Sequence, residues 1–208
     1  MMKVLIINGS PHKVGTTFKA LSIVESKLKE AGIETTWVNV PSDTASCMAC
    51  GYCKRNGECI KKDLVNETYK LLDECDGLLV GTPVYYAGPS GSLMSFLDRL
   101  FYSYPNSRTL NLKAAAAISN SRRAGNLTSN DVLNKFFSIS GMSVITSSYW
   151  NDPHGNKPEE LDNDLEAIQT LENLGNNMAY YLKLRKLGED NGLESPKLKK
   201  ENYTNFVR

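Results

Sequence analysis

Short, wholly apolar runs alternate along this chain with longer stretches whose apolar residues recur every three or four positions. Residues 4–7 form the first run, and such continuity fits a strand covered on both faces. A glycine-bearing loop follows, with Thr16 or Thr17 as the expected N-cap of a helix. Phe18, Leu21, Val24 and Leu28 then fall at helical spacing, and Gly32 supplies a stop. Residues 33–40 read as a second strand, and Leu64, Thr68, Leu71 and Cys75 as the next helical stripe. Residues 77–81 make a short apolar third strand, and residues 92–102 a helix. Residues 112–119 make a fourth strand centred on four alanines, 114–117, small enough for a neighbour to approach closely. A helix over 127–139 and a fifth strand over 142–145 follow. The last helix is expected to begin near Pro158, with the stripe Leu161, Leu165, Ile168, Leu171, Leu174 and Met178.

Five successive βα units imply an α/β three-layer sandwich, because right-handed crossovers place helices on both faces of a parallel sheet. The expected five-stranded order is 2-1-3-4-5, with ligands beyond the carboxyl ends of the strands beside strand 1. Residues 1–187 would form this domain, with an irregular, cysteine-rich insertion at 41–62. The polar tail at 188–208 is expected to be mobile or packed on a partner.

With 208 residues and a formal net charge of +1, the chain has no overall field that would point to nucleic acid or an anionic membrane. The N-terminal apolar run is too short for a membrane span or a signal-peptide core, so a cytoplasmic location is expected. There clustered thiols stay reduced and serve metal or redox roles rather than a disulfide framework.

The chemistry concentrates in three loops after strands 1, 3 and 4. The first, Asn8-Gly9-Ser10-Pro11-His12-Lys13-Val14-Gly15-Thr16-Thr17, leads into a helix N-terminus, where free N–H groups and the helix dipole favour an anion. It departs from the Walker A spacing and from the dinucleotide fingerprint, and an ordinary capped turn is the simpler alternative. The second, Gly81-Thr82-Pro83-Val84-Tyr85-Tyr86-Ala87-Gly88-Pro89-Ser90, is stiffened by prolines and carries two tyrosines, a suitable wall for a flat, partly apolar ring. The third, Ser119-Asn120-Ser121-Arg122-Arg123-Ala124-Gly125-Asn126, adds hydroxyls and two guanidinium groups.

Gly9-Ser10-Pro11, Thr82-Pro83-Val84-Tyr85-Tyr86 and the loop 121–125 together resemble the three FMN-binding loops of the flavodoxin-like NADPH-dependent FMN reductase and iron–sulfur flavoprotein families. The resemblance covers about residues 3–145 in order and spacing. It implies a flavin-dependent oxidoreductase. Ser10, Pro11, His12, Gly15, Thr16 and Thr17 would hold the phosphate. Thr82, Pro83, Val84, Tyr85 and Tyr86 would line the isoalloxazine, with Ser121, Arg122 and Gly125 on its other side. NAD(P)H would stack transiently as donor. Partners would be redox small molecules or an electron-transfer protein. Tyr85 and Tyr86 are candidate proton donors. The family also implies a homodimer or homotetramer, and Tyr85, Tyr86, Phe101, Tyr102 and Tyr104 offer aromatic surface for it. The stretch 149–156 resembles a bacterial subgroup of the family, and its His154 reads as a structural hydrogen-bonder that could also approach a flavin.

Cys47, Cys50, Cys53 and Cys59 lie in a C-x2-C-x2-C-x5-C pattern. A [4Fe–4S] cluster needs one thiolate per iron, and x2 spacings let one turning segment grip several corners. Lys54, Arg55, Lys61 and Lys62 would offset its negative charge, and the pattern resembles the compact motif of iron–sulfur flavoproteins. Structural zinc, a reversible dithiol and a loop of free thiols remain as alternatives, as does a reductase without a cluster or a non-enzymatic carrier. Cys75, on a helical stripe, reads as a buried thiol.

Overall fold

The computed structural model describes residues 1–104, 110–199, 201, 202 and 204; the remainder of the expected tail lies outside them. Five parallel strands build the sheet: β1 (Lys3–Asn8), β2 (Glu34–Asn39), β3 (Gly77–Tyr85), β5 (Ala114–Asn120) and β6 (Ser143–Val144). A two-residue strand, β4 (Gly88–Pro89), pairs antiparallel with the end of β3. The order β2-β1-β3-β5-β6 is the expected 2-1-3-4-5 once that hairpin is set aside.

Side chains alternate across the sheet, so one strand feeds two cores. Leu5 and Ile7 of β1, with Leu78 and Val80 of β3, face α3 (Leu64–Glu74), α4 (Gly91–Ser103) and α5 (Asn126–Ile139). Val4, Ile6 and Leu79 point the other way, against α1 (Thr16–Glu30) and α6 (Leu165–Asp190). This is the three-layer flavodoxin-like sandwich.

Several boundaries differ from the periodic pattern for local reasons. The N-cap of α1 is Gly15, which leaves Thr16 and Thr17 inside the first turn. β3 runs beyond Gly81 to Tyr85 because β4 folds back on it through Tyr86 and Ala87, both at positive φ (51° and 58°). Pro158 opens a 3-10 turn (Pro158–Asn163) rather than the last helix, and α6 starts after Asp164, whose carboxylate accepts from the Ala167 N–H. The cysteine segment is irregular except for a short helix, α2 (Tyr52–Asn56), set between Gly51 and Gly57 at φ 68° and 70°. α6 runs past residue 187 to Asp190, and residues 193–196 turn back on the domain. Leu193 sits on Gly188, and Asn111 Nδ2 donates to the Pro196 carbonyl at 3.1 Å.

Candidate functional site

At the carboxyl ends of β1, β3 and β5 the three loops enclose one cavity of 740 Å³. Ser10 to Thr17, Pro83 to Tyr85, Asn120 to Arg122 and a fourth segment, Gly155 to Pro158, line it. The strand register places the loop ends level, since Asn8 lies beside Gly81 and Thr82 beside Ser119.

The first loop is held by its own hydrogen bonds. Asn8 Oδ1 accepts from the Ser10 N–H at 3.0 Å, and Ser10 Oγ accepts from the His12 N–H at 3.1 Å. Ser10, Thr16 and Thr17 are buried, whereas Pro11, His12 and Lys13 are exposed at the rim. The first turn of α1 contains no acidic residue, and Gly15 offers no side-chain cap. Its first-turn N–H groups therefore lack both an intrahelical and a capping acceptor, which suits an anion in the cavity. Gly9 serves packing: a Cβ there would lie 2.6 Å from Leu93 Cδ2, and its carbonyl accepts from Ser90 Oγ at 2.6 Å.

In the second loop Pro83, Val84 and Tyr85 face the cavity. Thr82 is fully buried beneath it, where its Oγ1 accepts from the Ser90 N–H at 3.0 Å. Tyr86 stands fully exposed at the hairpin tip. Gly125 packs against that hairpin, since a Cβ would come within 2.9 Å of both Val84 Cγ1 and Ala87 Cα. Thr82, Tyr86 and Gly125 thus shape the loops without lining the cavity.

Asn120 was missing from the expected set. It is 7% exposed; its Nδ2 donates to the Gly155 carbonyl at 3.1 Å, and its Oδ1 is buried in a cavity-lining residue with no hydrogen-bond partner. The fourth segment was missing as well. The Gly155 N–H donates to the Ser121 carbonyl at 2.9 Å, and Lys19 Nζ donates to the Pro158 carbonyl at 2.9 Å, so the segment is fixed to both β5 and α1. The Gly-Asn-Lys-Pro run was the available signal, since such residues punctuate loops. His154 is the structural hydrogen-bonder expected: its Nδ1 lies 3.2 Å from Asp164 Oδ2.

The cysteines occupy a separate place. Cys47, Cys50, Cys53 and Cys59 all line one narrow pocket of 20 Å³ beside α4. Arg99, 1% exposed, organises its floor. Both Nη atoms reach the Asp63 carboxylate at 2.8 Å, Nη1 donates to the Ala45 carbonyl at 3.2 Å, and Nε donates to Cys59 Sγ at 3.4 Å. Burial pushes the Asp63 carboxyl up, but Arg99 and the Val65 N–H outweigh it and hold it below the usual range. Among the described residues no three His, Cys, Asp or Glu side chains are grouped so as to hold a metal ion, so neither the expected cluster site at Cys47, Cys50, Cys53 and Cys59 nor a zinc site is evident. The donor chemistry matches a cluster, one thiol per iron, but the pocket has room for about one water. Cys75 is buried, and burial pushes its thiol up to about 11.

Residues 2–157 match the NADPH-dependent FMN reductase family. The chain belongs to that family. It is a flavin-dependent oxidoreductase of the FMN reductase type. An iron–sulfur flavoprotein of Methanocaldococcus jannaschii is 33% identical over 195 residues, covering 89% of this chain and 100% of the relative. An iron–sulfur flavoprotein of Methanosarcina thermophila is 28% identical over 193 residues, covering 91% and 100%. Among solved structures, RosB with a bound riboflavin-phosphate intermediate superposes with a TM-score of 0.69 at 15% identity, covering 100% of this chain and 94% of RosB. An archaeal flavodoxin gives 0.58 at 15% identity, covering 88% and 99%. These likenesses show the fold. Among the described residues no helix is long and apolar enough to cross a membrane.

Two of the aromatics expected at a subunit surface are half-buried and packed against the core. Phe101 packs on Phe136 with ring centroids 5.4 Å apart, and Tyr104 on Tyr69 at 6.4 Å. Tyr85, Tyr86 and Tyr102 remain exposed, and Tyr102 lies at the cysteine pocket.

Proposed function

We propose that the four-walled cavity binds FMN and that the chain uses it to pass electrons from a reduced nicotinamide to a small redox acceptor. The observation that carries this is convergence on one 740 Å³ space: the uncapped N-terminus of α1, the Pro83-Val84-Tyr85 wall and the unpartnered Asn120 Oδ1. The volume lies within the range of cofactor pockets, and a single helix N-terminus suits one phosphate rather than a pyrophosphate. Bound FMN would supply hydride and single-electron transfer. Ser10, Thr16 and Thr17 would donate hydroxyl hydrogen bonds to the phosphate, with His12 and Lys13 adding positive charge at the rim. Pro83, Val84 and Tyr85 would exclude water from one ring face. Asn120 Oδ1 would accept from a ring N–H, while Ser121 and Arg122 bound the polar edge. Thr82, Tyr86 and Gly125 would act through the loop shapes they maintain.

Extraction of the cofactor and its identification by mass test this reading. FMN is expected; FAD or no flavin refutes it. Thr16→Ala with Thr17→Ala should weaken binding by roughly 1.5–3 kcal/mol per lost charge-assisted bond. Steady NAD(P)H consumption with an acceptor would separate a reductase from a non-enzymatic carrier.

A second reading adds a [4Fe–4S] cluster at Cys47, Cys50, Cys53 and Cys59. It is favoured by four thiols around one pocket and by relatives named iron–sulfur flavoproteins. The segment would have to spread to admit the cluster. Anaerobic reconstitution should then give about four irons per chain, abolished by Cys50→Ser with FMN retained; flavin without iron leaves the plain reductase. Assembly as a homodimer or homotetramer, with Tyr85, Tyr86 and Tyr102 at the contact, belongs to the same proposal and is checked by light scattering.

A further inference from the structure

The fourth wall of the 740 Å³ cavity is a strap laid across the N-terminus of α1. At one end of it Gly155 rests on the first turn, where a Cβ would lie 3.3 Å from Thr16 Cγ2. At the other end the Pro158 carbonyl accepts from Lys19 Nζ, further along α1, at 2.9 Å. Leu161 then buries itself in the core that holds Leu21 and Val24 of α1. Asn156 and Lys157 lie between these anchors and line the cavity. They therefore stand, on a fixed backbone, beside the helix end whose free N–H groups suit an anion.

The charge around that space is one-sided. Lys13, Arg122 and Lys157 line it, and no aspartate or glutamate is among the lining residues. The whole chain is nearly neutral, with 24 Lys and Arg against 23 Asp and Glu, so the surplus is local. Three of the strap's own carboxylates are engaged elsewhere. Glu160 accepts from the Asn156 N–H at 2.7 Å, Asp162 pairs with Lys19 at 2.6 Å, and Asp164 accepts from the His154 and Ala167 N–H groups. Glu159 is exposed and does not line the cavity. Among the described residues the Lys157 side chain has neither an ion-pair nor a hydrogen-bond partner. Of the three lining cations, Lys13 belongs to the first loop and Arg122 to the loop after β5. Lys157 alone stands on the segment that crosses the first turn of α1.

We propose that Lys157 is a phosphate-binding residue, meeting the FMN phosphate from the strap while the first loop and α1 hold it from the other walls. The inference rests on the FMN reading above. A phosphate monoester carries a charge of about −1.5 to −2 near neutral pH, which a helix N-terminus of about +0.5 offsets only in part. Ser10, Thr16 and Thr17 add donors but no charge. An ammonium group adds a point charge with three donors. Neutral parts of the flavin gain nothing comparable from it, so the role is selective for the phosphorylated form.

The test compares FMN with riboflavin, which has the same ring and side chain without the phosphate. Each is titrated into the full chain stripped of flavin, and binding is read from flavin fluorescence. Lys157→Met should lower FMN affinity about three- to tenfold, as loss of one exposed charge-assisted bond predicts, and leave riboflavin affinity unchanged. Lys157→Arg should keep the preference for FMN. Added salt should weaken FMN binding less steeply in Lys157→Met than in the parent chain, and this comparison decides where riboflavin binds too weakly to measure. An affinity ratio of FMN to riboflavin that falls less than about threefold in Lys157→Met, or an unchanged salt slope, would overturn the role. An equal loss for both flavins would overturn it too, assigning Lys157 to the shape of the strap. Failure of the parent chain to bind either flavin would refute the FMN reading itself, and the proposal with it.

Discussion

Removing Arg99 should loosen the cysteine segment far more than a surface ion pair would suggest. The guanidinium is 1% exposed and is bonded to three separate stretches of the segment: Ala45, Cys59 with Lys61, and Asp63. Breaking a fully buried pair costs about 3–5 kcal/mol. Here the Asp63 side chain is 43% exposed and still caps α3 through the Val65 N–H, so the freed carboxylate regains water. The expected loss for Arg99→Met is therefore about 2–3 kcal/mol, or roughly 5–10 °C for a chain of this size. Urea unfolding at constant m measures it, and alkylation followed by mass spectrometry should show Cys59 reacting faster. Arg99→Lys keeps the charge without the fork and should fall between the two. The pH dependence has a defined sign. Asp63 is held below its ordinary value, so its contribution is present above the unfolded carboxylate range and is lost as pH falls through the lowered value. Arg99→Met should therefore shift acid unfolding to higher pH. A loss under about 0.5 kcal/mol with no faster reaction at Cys59 would refute the anchoring argument.

Gly9→Ala places a Cβ 2.6 Å from Leu93 Cδ2 and should lower stability by about 1–3 kcal/mol, read as a thermal shift. Asn120→Ala should reduce flavin affinity about tenfold, as loss of one cofactor bond predicts; unchanged affinity would show that Oδ1 makes no such bond. Cys75, raised to about 11 from 9.0 by burial, retains its proton when folded. Its stabilisation is thus complete below about pH 9 and lost as pH rises from 9 to 11. Near neutral pH it should alkylate only through opening of the fold, while the exposed Cys47 and Cys50 react directly.

The layer structure was legible because the continuous apolar runs at 4–7, 77–81 and 114–117 suit strands covered on both faces and alternate with helical stripes. The loops were legible as places rather than as contacts. Thr82 and Gly125 belong to the right loops, but hydrogen bonding to Ser90 and packing on Ala87 give them supporting positions that no local pattern encodes. The hairpin after Tyr85 was hidden because Tyr86 and Ala87 take positive φ without the glycine or asparagine that ordinarily marks such a turn. Asn120 was hidden for a different reason: its unpartnered oxygen exists only once Gly155, 35 residues away, has taken its nitrogen.

Small residues explain why these distant loops share one space. Gly81 lies under Leu21 so closely that a Cβ would be 2.7 Å from its Cδ1. Gly175 does the same for α6 against α1, where a Cβ would be 2.7 Å from Lys27 Cβ. Ala114 and Ala116 keep β5 low beneath the same layer. α1 is therefore pressed onto the sheet along its length. Gly155 then docks against it, with only 3.3 Å between a Cβ there and Thr16 Cγ2. A larger side chain at Gly81 would lift α1 and separate the Ser10-to-Thr17 loop from Pro83, Val84 and Tyr85, although neither Gly81 nor Leu21 lines the cavity. The shape of this cavity is thus set by helix-to-sheet distance as much as by the loop residues themselves.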